Sequence, residues 1–141
     1  MRNWQSPTLR TALTLALLAM SSPALHAEDA MKSTSSHFAY IGTYNPNGEG
    51  VYRVQVDPAS GVLSGRTLVS KQGNPAQLTV DAKGQTLYVA SEVANFNGTK
   101  HGGIIAYRIN PSDGNLTQLN QVDSQGAGPV YLSHAPTGRY L

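Results

Sequence analysis

The sequence has no cysteine, few charged residues and only one long apolar run. Each of these features excludes some classes of protein. Without cysteine, the 141-residue chain has neither disulfides nor a thiolate metal site. Charged residues make up 13% of the chain and hydrophobic residues 40%, which favours a folded domain over a disordered one. The chain has no G-x-S-x-G sequence, so serine-hydrolase chemistry is not supported. Fourteen glycines and eight prolines predict frequent turns.

The formal charge of +2 arises near the N-terminus. Arg2 and Arg10 account for it, because from Glu28 onward eight Lys and Arg balance eight Asp and Glu. A basic surface for nucleic acid or for an anionic membrane is therefore not expected.

Residues 1–27 have the order of a secretory signal peptide. A basic start leads into the apolar run ALTLALLAM, and ALHA ends at Ala27 before the acidic Glu28. The run is about half the length that a transmembrane helix requires. We expect cleavage after Ala27, a periplasmic or secreted protein, and a disordered lead-in at 28–36.

The rest of the chain repeats. The segment VYRVQVDPASGVL at 51–63 recurs as IIAYRINPSDGNL at 104–116, an offset of 53. NPAQLTVDAKGQTL at 74–87 recurs as GPVYLSHAPTGRYL at 128–141, an offset of 54. A repeat of this length predicts an array of small structural units.

Each unit is predicted to contain short antiparallel strands joined by tight turns. Residues 50–57 alternate, with Val51, Arg53 and Gln55 expected on one face and Tyr52, Val54 and Val56 on the other. DPASG and NPSDG follow equivalent strands; Asp or Asn accepts a backbone N–H, Pro sets φ and Gly tolerates a positive φ. DAKG at 81–84 and APTG at 135–138 predict the preceding turn of each unit.

Strands at 77–80, 86–92, 103–109 and 116–123 make one four-stranded unit, which is typical of a β-propeller blade. A simple meander or a sandwich is the alternative. We predict an all-β propeller of which about two blades are present. The propeller part would occupy 37–141, as a blade at 37–71 lacking its inner strand, a complete blade at 77–124 and the start of a third at 130–141. A propeller needs four to eight blades, so the sequence is expected to be a fragment.

Several motifs, in this order, resemble the lactonase family of seven-bladed propellers, which includes 6-phosphogluconolactonase and muconate-cyclising enzymes. They are IGTY (41–44), GVY (50–52) with DPASGVL, NPAQL (74–78), LYVASE (87–92), GGIIAYRINPSDGNLT (102–117) and GPVYLSHAPTGRYL (128–141). The chain departs from the family pattern at three positions. Tyr131 replaces the usual His, Ala135 the usual Asp and Ser91 the common Asn. The resemblance implies that the catalytic His and Arg come from later blades.

Loops between blades (72–76, 125–129) and between second and third strands (45–50, 92–103) should rim one mouth of the channel, where a ligand would bind. Glu92 enters that rim as a candidate general base; a solvated or loop-capping carboxylate is the alternative. Asn74 is a candidate substrate-binding residue; the alternative is that it only initiates the turn before Pro75. His101 is a second candidate substrate-binding residue; the alternative is a surface histidine with no binding role.

No metal site is predicted, because His37 and His134 have no carboxylate at ligand spacing. The resemblance implies metal-independent hydrolysis of a sugar-type lactone and no cofactor. Export argues for an unphosphorylated lactone. The second hypothesis is a non-catalytic exported propeller that binds a ligand or protein at the same rim.

Overall fold

Residues 36–141 are described by the structure, a computed structural model. The predicted signal peptide and residues 28–35 of the predicted lead-in lie outside the described residues. In the described part of the chain, no helix has the length and hydrophobicity that a bilayer span requires.

The first sheet has three antiparallel strands in the order β1-β2-β3. They are β1 (His37–Gly42), β2 (Gly50–Val56) and β3 (Leu63–Lys71). The β1–β2 register is continuous, whereas β3 carries an extra residue opposite Val51 and Tyr52 and another opposite Arg53 and Gln55. Val51 and Val54, which alternation places on opposite faces of β2, are both buried, so β2 is covered on both faces.

The second sheet has four antiparallel strands in the order β4-β5-β6-β7. They are β4 (Pro75–Val80), β5 (Thr86–Ser91), β6 (Gly103–Ile109) and β7 (Leu116–Asp123), with a short 3₁₀ turn at Phe96–Gly98 between β5 and β6. This all-β arrangement of one three-stranded and one four-stranded sheet confirms the predicted class and the predicted strand order within a blade.

The two hairpin turns that the repeat predicts have the same hydrogen bonds. Gly61 N donates to Asp57 O (2.7 Å) and Gly114 N to Asn110 O (2.8 Å), and both glycines have a positive φ. In each turn the first side chain accepts a backbone N–H two residues on, at 2.8 Å for Asp57 and 3.0 Å for Asn110. The predicted turn chemistry is confirmed.

Residues 129–141 lie beside the second sheet without forming a strand. They keep the predicted turn, since Gly138 N donates to Ala135 O at 2.8 Å. The rings of His134 and Tyr88 meet edge to face, with centroids 5.2 Å apart. A strand requires a hydrogen-bonded partner, and none of the described strands pairs with this segment. Residues 130–141 therefore form no strand in this structure, and their assignment as the start of a third blade stays a prediction.

The core lies between the two sheets. It contains the buried Val51, Leu87, Val89, Ile105 and Tyr107, and the burial of each large apolar side chain is worth about 1.5–3 kcal/mol. Leu78 of β4 is half-buried against this cluster, and β4 faces β1 across the gap between the sheets. The sheets stack face to face, as adjacent blades of a propeller do.

The hydroxyl of Tyr107 links the two sheets. Because this group loses its proton at high pH, we expect the stability of the fold to fall there. The hydroxyl donates to Gln72 Oε1 (2.9 Å) and lies 2.8 Å from Ser70 Oγ. Burial raises the pKa of Tyr107, and the hydrogen bond with Ser70 offsets part of that rise. Because the folded-state pKa is raised, the contribution to stability is complete below pH of about 10 and is lost as the pH rises through the folded-state pKa.

We expect the denaturant midpoint to fall as the pH is raised above about 10, and to fall less steeply in Tyr107→Phe than in the unmodified chain. The measurement is chemical unfolding of the full chain between pH 8 and pH 11.5 or so. Tyr131→Phe, at a tyrosine that is 73% exposed, is the control. Identical pH slopes for Tyr107→Phe and the unmodified chain would contradict the prediction.

Candidate functional site

The candidate site forms where β5 ends and β4 begins. Glu92 follows the last residue of β5, and Asn74 precedes the first residue of β4. Their backbones are paired, since Glu92 N donates to Asn74 O at 2.8 Å. The Asn74 side-chain amide also donates to Glu92 O at 3.3 Å. The structure therefore brings these two predicted site residues together.

Asn74 also connects the two sheets. Its Oδ1 accepts the backbone N–H of Asn45, in the loop between β1 and β2, at 3.2 Å. Its φ is +35°, in the left-handed region that asparagine tolerates better than most residues but that is disfavoured before a proline such as Pro75. Since both ends of its side-chain amide are engaged by the protein, the contacts favour the turn role of Asn74. The proposed role as a substrate ligand stays a prediction.

The Glu92 carboxylate is held by a residue of the other sheet. The Tyr44 hydroxyl, just beyond the end of β1, donates to Glu92 Oε2. Within residues 36–141, Oε1 has no hydrogen-bond partner, so one carboxylate oxygen remains available. The hydrogen bond with Glu92 raises the pKa of Tyr44 above its usual value, and burial and the negative charge of Glu92 act in the same direction. Sequence reasoning missed Tyr44, although its motif IGTY carried part of the resemblance.

All four predicted rim loops meet around Glu92. The hydrogen bond from Asn45 N to Asn74 Oδ1 joins the loop at 45–50 to the loop at 72–76. Gly128 N donates to Val93 O at 3.1 Å, and a Cβ at Gly128 would lie 3.6 Å from Glu92 Cγ. These loops lie at one end of the two sheets; that this end is the mouth of a channel stays a prediction.

His101 is part of a separate contact. Its Nδ1 lies 2.8 Å from Asp123 Oδ1 and 2.9 Å from Oδ2, at the end of β7. The hydrogen bond from His101, followed by one from the Gln125 backbone N–H, holds the pKa of Asp123 below its usual value. The pair fastens the loop after β5 to β7, and it does not involve Glu92. A substrate-binding role for His101 stays a prediction.

Within residues 36–141, the structure contains no cluster of three or more His, Asp or Glu side chains that could hold a metal.

Comparison with known protein families shows which family the chain belongs to. Residues 38–141 match the family described as "Lactonase, 7-bladed beta-propeller". The chain belongs to this lactonase family. The match covers both sheets, so the family places them as adjacent blades of a propeller.

Individual relatives agree with that membership. The 6-phosphogluconolactonase of Bacillus subtilis (strain 168) is 32% identical over 100 residues, covering 70% of this chain and 27% of the relative. The structure of Pseudomonas aeruginosa periplasmic gluconolactonase aligns with a TM-score of 0.65 and 32% identity, covering 74% of this chain and 29% of that one. A Bacteroides fragilis NCTC 9343 structure aligns with a TM-score of 0.63 at 24% identity, covering 77% of this chain and 29% of that one, and bears on the fold alone. The lactonase-family chain thus spans less than a third of the length of each of these relatives.

Proposed function

We propose that this lactonase-family chain supplies part of the active-site rim of an enzyme that hydrolyses an unphosphorylated sugar-type lactone. The observation that carries the proposal is the Glu92 carboxylate, fixed through Oε2 by Tyr44 and through its backbone by Asn74, with Oε1 available at the rim. A carboxylate held in one orientation with one open oxygen is suited to accept a proton from water. The relatives support the reaction class, since the two with 32% identity are a 6-phosphogluconolactonase and a gluconolactonase.

In the proposed reaction, water attacks the lactone carbonyl carbon while Glu92 takes the proton that the water loses. The ring C–O bond then breaks, and the proton passes to the departing ring oxygen. The product is the open hydroxy acid. Donors for the carbonyl oxygen are also required, and the resemblance assigns a His and an Arg from other blades of the propeller to that part of the site.

The unphosphorylated substrate is proposed from the predicted export, because sugar phosphates are mainly cytoplasmic. The described hydrogen-bond partners of Glu92 are Tyr44 and Asn74, which are uncharged.

The test is hydrolysis of glucono-δ-lactone and of its 6-phosphate by a seven-bladed protein that contains this chain. We expect saturable turnover above the spontaneous rate, with the higher kcat/KM for the unphosphorylated lactone. A preference for the phosphate ester would overturn the substrate class, and no acceleration of either compound would overturn the reaction.

The alternative is a non-catalytic exported propeller that binds a ligand or protein at the same rim. The observation that favours it is Tyr131, which is 73% exposed and stands where the family pattern usually has His. Saturable binding of glucono-δ-lactone without turnover would favour this alternative.

Export is proposed from the N-terminal sequence alone. We expect the protein from a bacterial host to be recovered from the periplasm or medium with Glu28 as its first residue. N-terminal sequencing of the purified protein checks this. A mature protein that retains residues 1–27 in the cytoplasm would contradict the proposal.

A further inference from the structure

Asn74 holds a backbone conformation that its position in the sequence disfavours. Its φ is +35°, in the left-handed region, and Pro75 crowds the residue before it. The next repeat has a left-handed residue at the equivalent position, where Gly128 precedes Pro129 with a φ of +60°. Glycine adopts this region without steric strain. Asparagine therefore stands at a position where glycine would be less strained, which points to a function for its side chain.

The side-chain amide of Asn74 bridges the two segments that carry Tyr44 and Glu92. Its Oδ1 accepts the backbone N–H of Asn45, the residue after Tyr44, at 3.2 Å. Its Nδ2 donates to the backbone carbonyl oxygen of Glu92 at 3.3 Å. One amide thus contacts the main chain beside each partner of the hydrogen bond between Tyr44 and Glu92. Gly128 has no side chain and cannot form such a bridge in the next repeat.

Tyr44 and Glu92 belong to different sheets, so their separation depends on contacts of this kind. Tyr44 lies just beyond β1 and is 45% exposed, so packing around its ring does little to fix it. Glu92 lies just beyond β5, where its backbone N–H donates to Asn74 O at 2.8 Å. The amide bridge is a direct link between the two segments, and it limits how far the two side chains can separate.

We propose that Asn74 is a positioning residue, whose side-chain amide sets the distance between the Tyr44 hydroxyl and the Glu92 carboxylate. It acts through Glu92 and not on the substrate, because the protein engages both ends of its amide. The effect on hydrolysis rests on the proposed function. The effect on the hydrogen bond between Tyr44 and Glu92 does not, so the two can fail separately.

Two substitutions separate the side chain of Asn74 from its backbone. Asn74→Gly and Asn74→Ala both remove the bridge, but glycine relieves the strained φ whereas alanine does not. Since the hydrogen bond with Glu92 raises the pKa of Tyr44, the pH midpoint of the Tyr44 ring reports on that bond. Followed by NMR in the full chain, this midpoint should fall equally in both variants. The denaturant midpoint should be higher for Asn74→Gly than for Asn74→Ala.

Asn47→Ala is the matched control. Asn47 is an exposed asparagine in the same loop as Asn45, and its side chain makes no hydrogen bond with the described residues. Its substitution should leave the pH midpoint of Tyr44 unchanged. A Tyr44 midpoint equal to that of the unmodified chain in both Asn74 variants would overturn the positioning role. A fall in Asn74→Ala alone would also overturn it, because the effect would then follow the backbone and not the amide.

In a seven-bladed protein that contains this chain, both Asn74 variants should lower kcat by about 10- to 10²-fold, since a displacement of about 1 Å near the reacting atoms has effects of this size. KM should change little, because Glu92 acts in the transition state. Absence of turnover by the unmodified protein would overturn the proposed function, and the Tyr44 midpoints would still decide the positioning role.

Discussion

Replacing Glu92 with glutamine in a seven-bladed protein that contains this chain is expected to lower kcat for lactone hydrolysis by about 10²- to 10⁴-fold, the usual contribution of a general base. Glutamine keeps the size of the side chain, and its amide oxygen can still accept the hydrogen bond from Tyr44. It cannot take a proton from water. KM should change little, because the proton transfer occurs only in the transition state.

Glu49→Gln is the matched control for that experiment. Glu49 lies in the rim loop between β1 and β2 and forms an exposed ion pair with Lys71 at 3.0 Å. An exposed pair of this kind contributes only about 0–1 kcal/mol, so its loss should leave both kcat and folding nearly unchanged. A Glu92→Gln enzyme with the kcat of the unmodified protein would remove Glu92 from the mechanism.

Gly42→Ala is expected to lower the free energy of unfolding by about 1–3 kcal/mol or more, the cost of overpacking a close contact. A Cβ at Gly42 would lie 2.9 Å from Leu78 Cδ1 and closer still to the carbonyl oxygen of Pro75. Since the nearest atom belongs to the backbone of β4, relief requires the two sheets to move apart. That movement would also separate Tyr44 from Glu92.

Chemical unfolding of the full chain measures this effect, with Gly126→Ala as the control. Gly126 has no positive φ, and nothing lies within 4 Å of a Cβ placed there. Its substitution should therefore change stability by no more than about 0.5 kcal/mol. Equal stabilities for the two alanine variants would show that β1 and β4 do not pack as closely as described.

The turns and the order of strands could be predicted because local sequence determines them. Asp57 and Asn110 each accept backbone N–H groups within their own turn, and Gly61 and Gly114 supply the positive φ. No distant residue is needed for either turn. The same reasoning holds for the rim, since alternating strand directions place Asn74 and Glu92 at one end of the sheet.

Contacts between the sheets could not be predicted in the same way. Tyr44 reaches Glu92 across 48 positions of sequence, and the separation of the two side chains depends on how one blade is rotated on the next. The two extra residues of β3 depend on how β3 pairs with β2, which the alternation of side chains along a single strand does not encode. His101 and Asp123 are likewise 22 positions apart, and spacing alone gave no indication of their contact.

The central claim is that adjacent blades of this lactonase-family chain join Tyr44 to the rim carboxylate Glu92. The most direct test is the pH titration of the Tyr44 ring, followed by its Cζ resonance in the full chain. A carboxylate that accepts a hydrogen bond from the phenol stabilises the protonated tyrosine and so raises the pKa of Tyr44. Glu92→Ala, which removes the hydrogen-bond acceptor, should therefore lower the Tyr44 midpoint, and Glu49→Ala should leave it unchanged. The same Tyr44 midpoint in Glu92→Ala and in the unmodified chain would contradict the claim.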